Sequence, residues 1–210
     1  MIFTGGCNLR CRFCHNTELA FDSGGDTGVC ETEILATLEK RKKLIDAVVI
    51  SGGEPTLRTG LLPFIQKVKA LGFKVKIDTN GFAPQIIEEL LNRSLLDYAA
   101  IDIKTSPSKY HTLTGSKDTD LVHQTLSLLK AKAPDYEVRT TCVPGYVEME
   151  DLIEISEWIG KVKKYYLQQF RNDNTLDQSL SSCMPHSKEK LFSFRDFVSS
   201  FAETCDVRGI

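Results

Sequence analysis

The feature that most constrains the fold is a repeated order of a short apolar run, a polar or glycine-rich turn and a stretch with helical spacing of apolar residues. Residues 47–50 are apolar throughout, without alternation, which is typical of a strand buried on both faces of a parallel sheet. Six such βα units predict an α/β protein, a partial (βα)6 barrel of the TIM type. The predicted strands cover residues 1–4, 47–51, 73–78, 98–104, 137–143 and 164–170, and the predicted helices cover residues 31–43, 61–71, 84–92, 119–132, 151–161 and 187–203.

Polar and glycine residues fall where the predicted strands end. In a parallel barrel these carboxyl ends open onto one face, and that face is where such barrels place their chemistry. The sequence therefore predicts a single site there. In chain order the strands are followed by a cysteine-rich loop, Gly52-Gly53-Glu54, Asp78-Thr79-Asn80-Gly81, Asp102 with Lys104, Val143-Pro144-Gly145 and Arg171.

Three cysteines dominate the first of these loops. Cys7, Cys11 and Cys14 have three residues in the first gap and two in the second. A loop that offers three thiolates suits a 4Fe–4S cluster, which normally takes four cysteine ligands, and leaves one iron open to another ligand. A structural zinc site is the weaker alternative, because it needs a fourth protein ligand and Cys30 arrives alone. His15 directly follows Cys14 and would have to share one metal with its neighbour on a tight backbone.

With Phe13 before the last cysteine, the motif resembles the signature of the radical S-adenosylmethionine superfamily, and Cys14-His15-Asn16 resembles the activating enzymes of glycyl radical enzymes. The resemblance implies the same partial barrel, a 4Fe–4S cluster on the three cysteines and S-adenosylmethionine at the open iron. It implies an oxidoreductase that cleaves this cofactor to a 5′-deoxyadenosyl radical and makes a glycyl radical on a partner enzyme. Within the family, the motif is most similar to activators of anaerobic ribonucleoside-triphosphate reductase. The expected partners are therefore this reductase and a flavodoxin-type electron donor.

Gly52, Gly53 and Glu54 follow a buried strand. A tight turn is the commoner reason for paired glycines, although glycine also lets the backbone approach a ligand closely. In the radical family this segment contacts the methionine amino group of the cofactor. The resemblance therefore implies a cofactor role for all three residues.

Asp102 and Lys104 are two residues apart on a predicted strand, so both side chains point to the same side. A charged pair in the barrel interior must find a partner or a ligand, because an unpaired buried charge is too costly. A structural ion pair between strands is one interpretation. By resemblance, Asp102, Ile103 and Lys104 contact the ribose and carboxylate of the cofactor, and Asp78, Thr79 and Asp102 bind a monovalent cation beside that carboxylate.

The resemblance implies further cofactor contacts along the chain. Val143 matches a segment that lies along the adenine. Arg171 stands near the position of a histidine in relatives, and an arginine cannot act as a neutral imidazole. The complete set of further contacts is Phe13, Cys14, His15, Asp78, Asn80, Val143 and Arg171.

Charge and composition bound the remaining possibilities. A net charge of −2 gives no electrostatic reason to expect nucleic acid or an anionic membrane as a partner. The apolar runs are far shorter than the roughly 20 residues of a membrane span. Cysteines clustered in this way fit a reducing compartment, so we expect a cytoplasmic protein. We also expect a single domain over residues 1–210 that lacks the start of its first strand, since few residues precede Gly5.

Two other functions stay open from the sequence. One is a radical enzyme that acts on a small molecule, as the 7-carboxy-7-deazaguanine synthases do with the same three-cysteine loop. The other is a passive iron–sulfur or zinc protein, which would need neither the Gly-Gly-Glu segment nor the Asp-x-Lys pair. A second cluster is not indicated, because the other cysteines contain no close pair: Cys30, Cys142, Cys183 and Cys205.

Overall fold

The computed structural model describes residues 1–22 and 28–210, which form one parallel sheet of seven strands in chain order. This arrangement confirms the α/β class and the partial TIM-like barrel. The strands are β1 (Ile2–Thr4), β2 (Ala47–Gly52), β3 (Lys74–Thr79), β4 (Tyr98–Asp102), β5 (Tyr136–Cys142), β6 (Val162–Gln169) and β7 (Ala202–Arg208). The helices are α1 (Thr17–Phe21), α2 (Glu31–Arg41), α3 (Leu61–Ala70), α4 (Pro84–Asn92), α5 (Pro107–Thr114), α6 (Thr119–Lys132), α7 (Met149–Ile159) and α8 (Lys188–Val198).

The sheet has one strand more than the six predicted. The helix predicted over residues 187–203 ends at Val198, and β7 begins at Ala202 and pairs with β6 along its length. The sequence concealed this strand because Asp206 and Arg208 interrupt any apolar run there. Two short helices, α1 and α5, were also absent from the prediction.

The two faces of the sheet differ in chemistry, as β3 illustrates. Val75 and Ile77 are buried in the main hydrophobic core between the sheet and the helices. Lys76 and Asp78 alternate with them and face the interior, where both form ion pairs with residues of β5. A closed TIM barrel fills its interior with branched apolar side chains, whereas this interior carries charged ones. Because buried charges are costly when unpaired, these side chains need ion pairs or a ligand.

A second, smaller core lies at the carboxyl end of the sheet. It joins the cysteine loop to the loops that follow β5 and β6, and it includes one of the three cysteines. Its buried members are Leu9, Cys11, Phe13, Leu113, Val143, Phe170 and Leu180. None of the described helices is long and apolar enough to cross a membrane.

Candidate active site

The cysteine loop connects β1 to α1 and is held in shape by its neighbours. The backbone N–H groups of Arg10 and Arg12 donate to the carbonyls of Thr114 and Leu113 at the end of α5, both at 2.9 Å. A local turn adds a bond from the Cys14 N–H to the Cys11 carbonyl, also at 2.9 Å. Helix α5, which the sequence did not predict, is therefore a main support of the loop.

All three thiols of the loop are free, and they differ in exposure. Cys11 is buried, whereas Cys7 and Cys14 are half-buried. Burial raises the pKa of Cys11 to about 12, and the nearby Lys104 ammonium opposes that shift. Burial also raises the pKa of Cys7. Because a metal binds the thiolate form, loading of this loop must release protons.

The donor set fits an iron–sulfur cluster. Three cysteine thiols on one supported loop line the same cavity, which leaves a fourth metal position without a cysteine from this loop. The His15 ring does not complete the set, since its Nε2 lies 2.9 Å from the Arg171 carbonyl oxygen. Among residues 1–22 and 28–210, no three His, Cys, Asp or Glu side chains converge as they would around a single metal ion. A cubane spreads its ligands around four metal atoms, so its thiolates stand farther apart.

The paired glycines seat the end of β2 against the backbone before Cys7. The Gly53 N–H donates to the Thr4 carbonyl at 2.8 Å, and the Glu54 N–H donates to the Gly6 carbonyl at 2.7 Å. A Cβ on Gly53 would lie 2.0 Å from the Gly6 carbonyl oxygen, and one on Gly52 would lie 2.4 Å from the Thr4 nitrogen. Gly52 also has φ of +116°, which side chains rarely adopt. Close backbone packing thus explains both glycines, and their contact with the cofactor stays a prediction.

Glu54 ties the loop after β2 to the loop after β3. Its carboxylate is 1% exposed and accepts hydrogen bonds from Thr56 N (3.2 Å), Thr56 Oγ (2.6 Å), Thr79 Oγ (2.8 Å) and Asn80 N (2.7 Å). Burial raises the pKa of Glu54, and these donors oppose the shift. Because both carboxylate oxygens are engaged, Glu54 acts as a positioning residue for the two loops. Its backbone is engaged as well, since its N–H donates to Gly6 and its carbonyl accepts from the Leu57 N–H at 3.2 Å, and its contact with the cofactor stays a prediction.

An ion network crosses the interior from β3 to β5. Asp102 accepts from Arg139 Nε at 2.7 Å and from Lys104 Nζ at 3.0 Å. Arg139 also lies 3.2 Å from a carboxylate oxygen of Asp78. Burial alone would raise the pKa of Asp102, but Arg139 and Lys104 together hold it well below its usual range. The structural ion pair considered from the sequence is therefore present, and its main partner is Arg139.

The predicted monovalent cation does not fit the residues as they stand. The Arg139 guanidinium already bridges Asp78 and Asp102. The Thr79 hydroxyl donates to Glu54 and accepts from the Gly81 N–H, so it is engaged elsewhere. The Arg139 guanidinium therefore already pairs with the two carboxylates on which an added ion would depend.

One buried acceptor remains for a ligand. Asp78 Oδ1 accepts no hydrogen bond from the described residues, and the Lys76 ammonium lies 3.5 Å from it. Buried polar atoms are normally satisfied, so an acceptor of this kind on a cavity wall suits a hydrogen-bond donor of a bound molecule. The amino group of a cofactor's methionine moiety is a donor of the required kind.

A cavity of about 260 Å³ brings most of the predicted residues together at the carboxyl ends of the strands. Three predicted residues do not line it: Ile103 and Val143 are buried with 0% exposure, and Arg171 is paired with Asp173 at the surface. Its predicted lining residues are Cys7, Cys11, Phe13, Cys14, His15, Gly52, Gly53, Glu54, Asp78, Thr79, Asn80, Asp102 and Lys104.

Sequence reasoning missed further residues of the cavity wall, chiefly Arg139, Gln168 and Asn16. Arg139 could have been found, since Glu137 and Arg139 alternate with apolar residues on a predicted strand and a buried Asp102 needs a cation nearby. Asn80 also does more than line the cavity, because its amide donates to Asn8 Oδ1 at 2.7 Å and so holds the cysteine loop.

Comparison with known proteins identifies the family. The sequence profile of the Radical SAM superfamily matches residues 1–159. A Methanocaldococcus jannaschii protein that carries the name of a glycyl-radical enzyme activating enzyme is 34% identical over 195 residues, which cover 90% of this chain and 79% of the relative. A pyruvate formate-lyase-activating enzyme of Staphylococcus aureus strain USA300 is 32% identical over 179 residues, covering 77% of this chain and 69% of the relative.

A solved structure supports the fold. Streptococcus suis SuiB bound to S-adenosylmethionine superposes with a TM-score of 0.74 at 17% identity, covering 99% of this chain and 49% of SuiB. The chain thus spans about half the length of SuiB, and a likeness at this identity concerns the fold alone. The profile match and the two relatives show that the chain belongs to the radical SAM superfamily, whose members carry a 4Fe–4S cluster and use S-adenosylmethionine.

Proposed function

We propose that this chain activates a glycyl radical enzyme and that its partner is an anaerobic ribonucleoside-triphosphate reductase. One electron from a flavodoxin-type donor cleaves the sulfonium C–S bond of S-adenosylmethionine, and methionine leaves. The resulting 5′-deoxyadenosyl radical takes a hydrogen atom from a glycine Cα of the partner. The products are 5′-deoxyadenosine, methionine and a glycyl radical. When bound, the 4Fe–4S cluster supplies the path by which that electron reaches the sulfonium.

The observation that carries the proposal is one cavity lined by the three thiols and by the segments that follow β2, β3 and β4. In this arrangement Cys7, Cys11 and Cys14 hold the metal. Gly52 and Gly53 offer backbone groups to the methionine end, and Asp78 offers the amino group an oxygen that accepts no hydrogen bond from the described residues. The proposed roles need no general base, because a radical removes the hydrogen atom.

The charged residues deeper in the cavity complete the proposed site. Lys104 lies 3.0 Å from Asp102 and has an ammonium that can pair with the cofactor carboxylate. One carboxylate oxygen of Asp102 accepts from Arg139 and the other accepts from Lys104, so Asp102 holds both cations at the cavity wall. The segment Asp102-Ile103-Lys104 would contact the ribose through Asp102. Ile103 is excluded from such a contact by its side-chain burial and by its engaged backbone.

The proposed partner rests on Cys14-His15-Asn16 and on the names of the relatives, which concern protein activation. An activator must admit a segment of another protein to the reacting carbon. The cavity opens at the carboxyl face of the sheet, between loops instead of within the core. A peptide loop with a glycine at its tip would therefore be a suitable occupant.

The test is anaerobic incubation of reconstituted protein with S-adenosylmethionine and a reductant, with 5′-deoxyadenosine measured by chromatography. A purified anaerobic ribonucleotide reductase is then added, and the glycyl radical is measured by electron paramagnetic resonance. We expect one 5′-deoxyadenosine per glycyl radical formed. Protein without reductase, and a pyruvate formate-lyase in its place, provide the comparison.

Matched cysteine variants separate the ligands from the other thiols. Cys11→Ala should lose iron and cleavage, whereas Cys30→Ser, at an exposed site outside the cavity, should keep both. Cleavage without a radical on either partner would reject the assigned partner and favour a small-molecule substrate. Absence of cleavage in a preparation with a full complement of iron would reject the enzymatic role.

A further inference from the structure

The segment after β6 crosses the cysteine loop and bonds to its backbone. The Leu176 N–H donates to the Cys14 carbonyl at 3.1 Å, and the Asp177 N–H donates to the Arg12 carbonyl at 2.8 Å. Two consecutive N–H groups of one segment thus bond to carbonyls two residues apart in the other. We call residues 171–183 the strap.

A side-chain contact locks the strap to the loop. Arg12 Nε donates to Asp177 Oδ2 at 2.5 Å, and the Arg12 guanidinium also bonds to the Tyr146 hydroxyl. Tyr146 belongs to the loop after β5, so Arg12 joins the loops that follow three different strands. The other oxygen of Asp177 accepts from the Ser179 N–H at 2.9 Å and caps the short 3-10 helix Gln178–Ser182.

Apolar packing anchors the strap at its far end. Leu180 is buried in the second core together with Leu9, Cys11 and Phe13 of the cysteine loop. Thr175 is also buried. The strap therefore meets the cysteine loop through backbone, charged and apolar contacts at once, in addition to the bonds between that loop and the end of α5.

We propose that the strap retains the metal, with Asp177 as a positioning residue that acts through Arg12. The proposal rests on the proposed assignment of Cys7, Cys11 and Cys14 as cluster ligands. The two carbonyls that the strap holds belong to the turn that carries the ligands, since Arg12 directly follows Cys11 and Cys14 is itself a ligand. Opening of the strap frees this turn, lets the thiolates separate and exposes the metal to water and chelators. The function of the Asp177–Arg12 pair is to keep such opening rare.

The experiment compares Asp177→Asn with wild type and with Asp173→Asn. Asparagine keeps the cap on Ser179 but removes the charge that faces Arg12. Asp173 lies on the same strap and forms its ion pair with the exposed Arg171. It feels the charge of His15 but, among the described residues, has no hydrogen bond to the cysteine loop, so its variant makes the same charge change without removing a bond to that loop. Asp177→Glu restores the carboxylate and serves as the conservative rescue.

Two measurements are made on each protein. The first is hydrogen exchange of the Leu176 and Asp177 amides in the cluster-free protein, with β4 amides as the internal reference. The second is the rate at which reconstituted protein loses iron to a coloured ferrous chelator, followed together with the thermal midpoint. We expect both rates to rise about tenfold in Asp177→Asn, the change expected for the loss of one charged hydrogen bond at a partly exposed site. Asp173→Asn should match wild type, and Asp177→Glu should recover most of the loss.

The outcomes separate this inference from the proposed function. If wild type holds a cluster and Asp177→Asn releases iron at the wild-type rate, the strap inference is wrong and the activating function is untouched. If iron loss rises only in proportion to a lower thermal midpoint, Asp177 is merely structural and the inference is again wrong. If wild type binds no cluster, the ligand assignment fails, and the proposed function and the strap's retention role fail with it.

Discussion

Replacing Gly53 by alanine tests whether the end of β2 rests directly on the backbone of the cysteine loop. The new Cβ would lie 2.0 Å from the Gly6 carbonyl oxygen and 2.7 Å from its carbon. Both are backbone atoms, so neither can swing aside as a flexible side chain would. Gly53 needs no left-handed conformation, since its φ lies outside that region. The whole effect of the substitution is therefore steric.

The magnitude follows from what the added methyl group must displace. The β2 loop has to move away from Gly6 by more than 1 Å for an ordinary contact, on the order of what overpacking a core demands. That movement stretches the bonds of Gly53 N–H to Thr4 and of Glu54 N–H to Gly6, which are 2.8 Å and 2.7 Å long. Overpacking costs about 1–3 kcal/mol, and each weakened bond adds roughly 0.5–1.5 kcal/mol. We expect a loss of about 3 kcal/mol.

The assay is urea unfolding of the cluster-free protein under reducing, anaerobic conditions, supported by thermal unfolding. For a chain of this size, a loss of about 3 kcal/mol corresponds to a fall of roughly 6–12 °C in the thermal midpoint. Gly60→Ala is the matched control, because a Cβ there meets no atom within 4 Å. We expect the control to stay within about 0.5 kcal/mol of wild type.

The result that would refute the reasoning is a Gly53→Ala protein as stable as the Gly60→Ala control. It would mean that the two backbones do not approach as closely as the structure shows. The glycine pair would then be explained by the cofactor alone, and loss of S-adenosylmethionine binding without loss of stability would be its signature.

Three further predictions concern the interior charges and the β3 loop. Arg139→Leu removes the cation shared by Asp78 and Asp102 and should lower the free energy of unfolding in urea by about 3 kcal/mol. The stability of wild type should not change when potassium is exchanged for tetramethylammonium at fixed ionic strength, whereas potassium should stabilise the variant. The pKa of Asp102 is lower in the folded than in the unfolded state, so its ion pairs stabilise the fold fully above an ordinary pKa of about 4, and this stabilisation is lost as the pH falls below that value. In Asp102→Asn the urea midpoint should therefore depend less on pH in this acidic range than it does in wild type. Thr79→Val removes one donor to the buried Glu54 and should cost about 1–2 kcal/mol, which urea unfolding would show; an unchanged midpoint would contradict the bond.

The sequence predicted the parts of the fold that follow from local periodicity. Strands such as β2 and β3 carry Val48, Ile50, Val75 and Ile77 on a buried face, and that pattern is visible in a window of a few residues. Strand β7 was not visible, because its lumen positions carry charges and its apolar residues are few. Its position depends on pairing with β6, which is a tertiary contact.

The candidate site divides in the same way. Motif spacing located the cysteines and the segments that line the cavity, because the carboxyl ends of parallel strands must meet. Spacing could not show which polar groups would be used up inside the protein. The Thr79 hydroxyl donates to Glu54, and Asp102 accepts a hydrogen bond from Arg139, which is 37 residues away in sequence. Val143 and Ile103 lie at the right strand ends but point into the cores.

The supports of the cysteine loop explain how Cys7 and Cys11, whose pKa values burial raises, can still take part in a metal site. The carbonyls of Leu113 and Thr114 accept bonds from the loop, the Gly53–Glu54 segment bonds to the residues before Cys7, and the strap bonds to the carbonyls of Arg12 and Cys14. These backbone contacts use none of the three thiols, so they restrict the conformational entropy of the loop independently of the metal bonds. The free energy of metal binding can then go into deprotonating the thiols instead of folding the chain. In a small zinc domain, by contrast, metal binding has to supply the folding energy itself. A loop that is held by the protein's own hydrogen bonds therefore depends less on metal bonds for its shape. Three protein ligands are then enough, and one iron is left for S-adenosylmethionine.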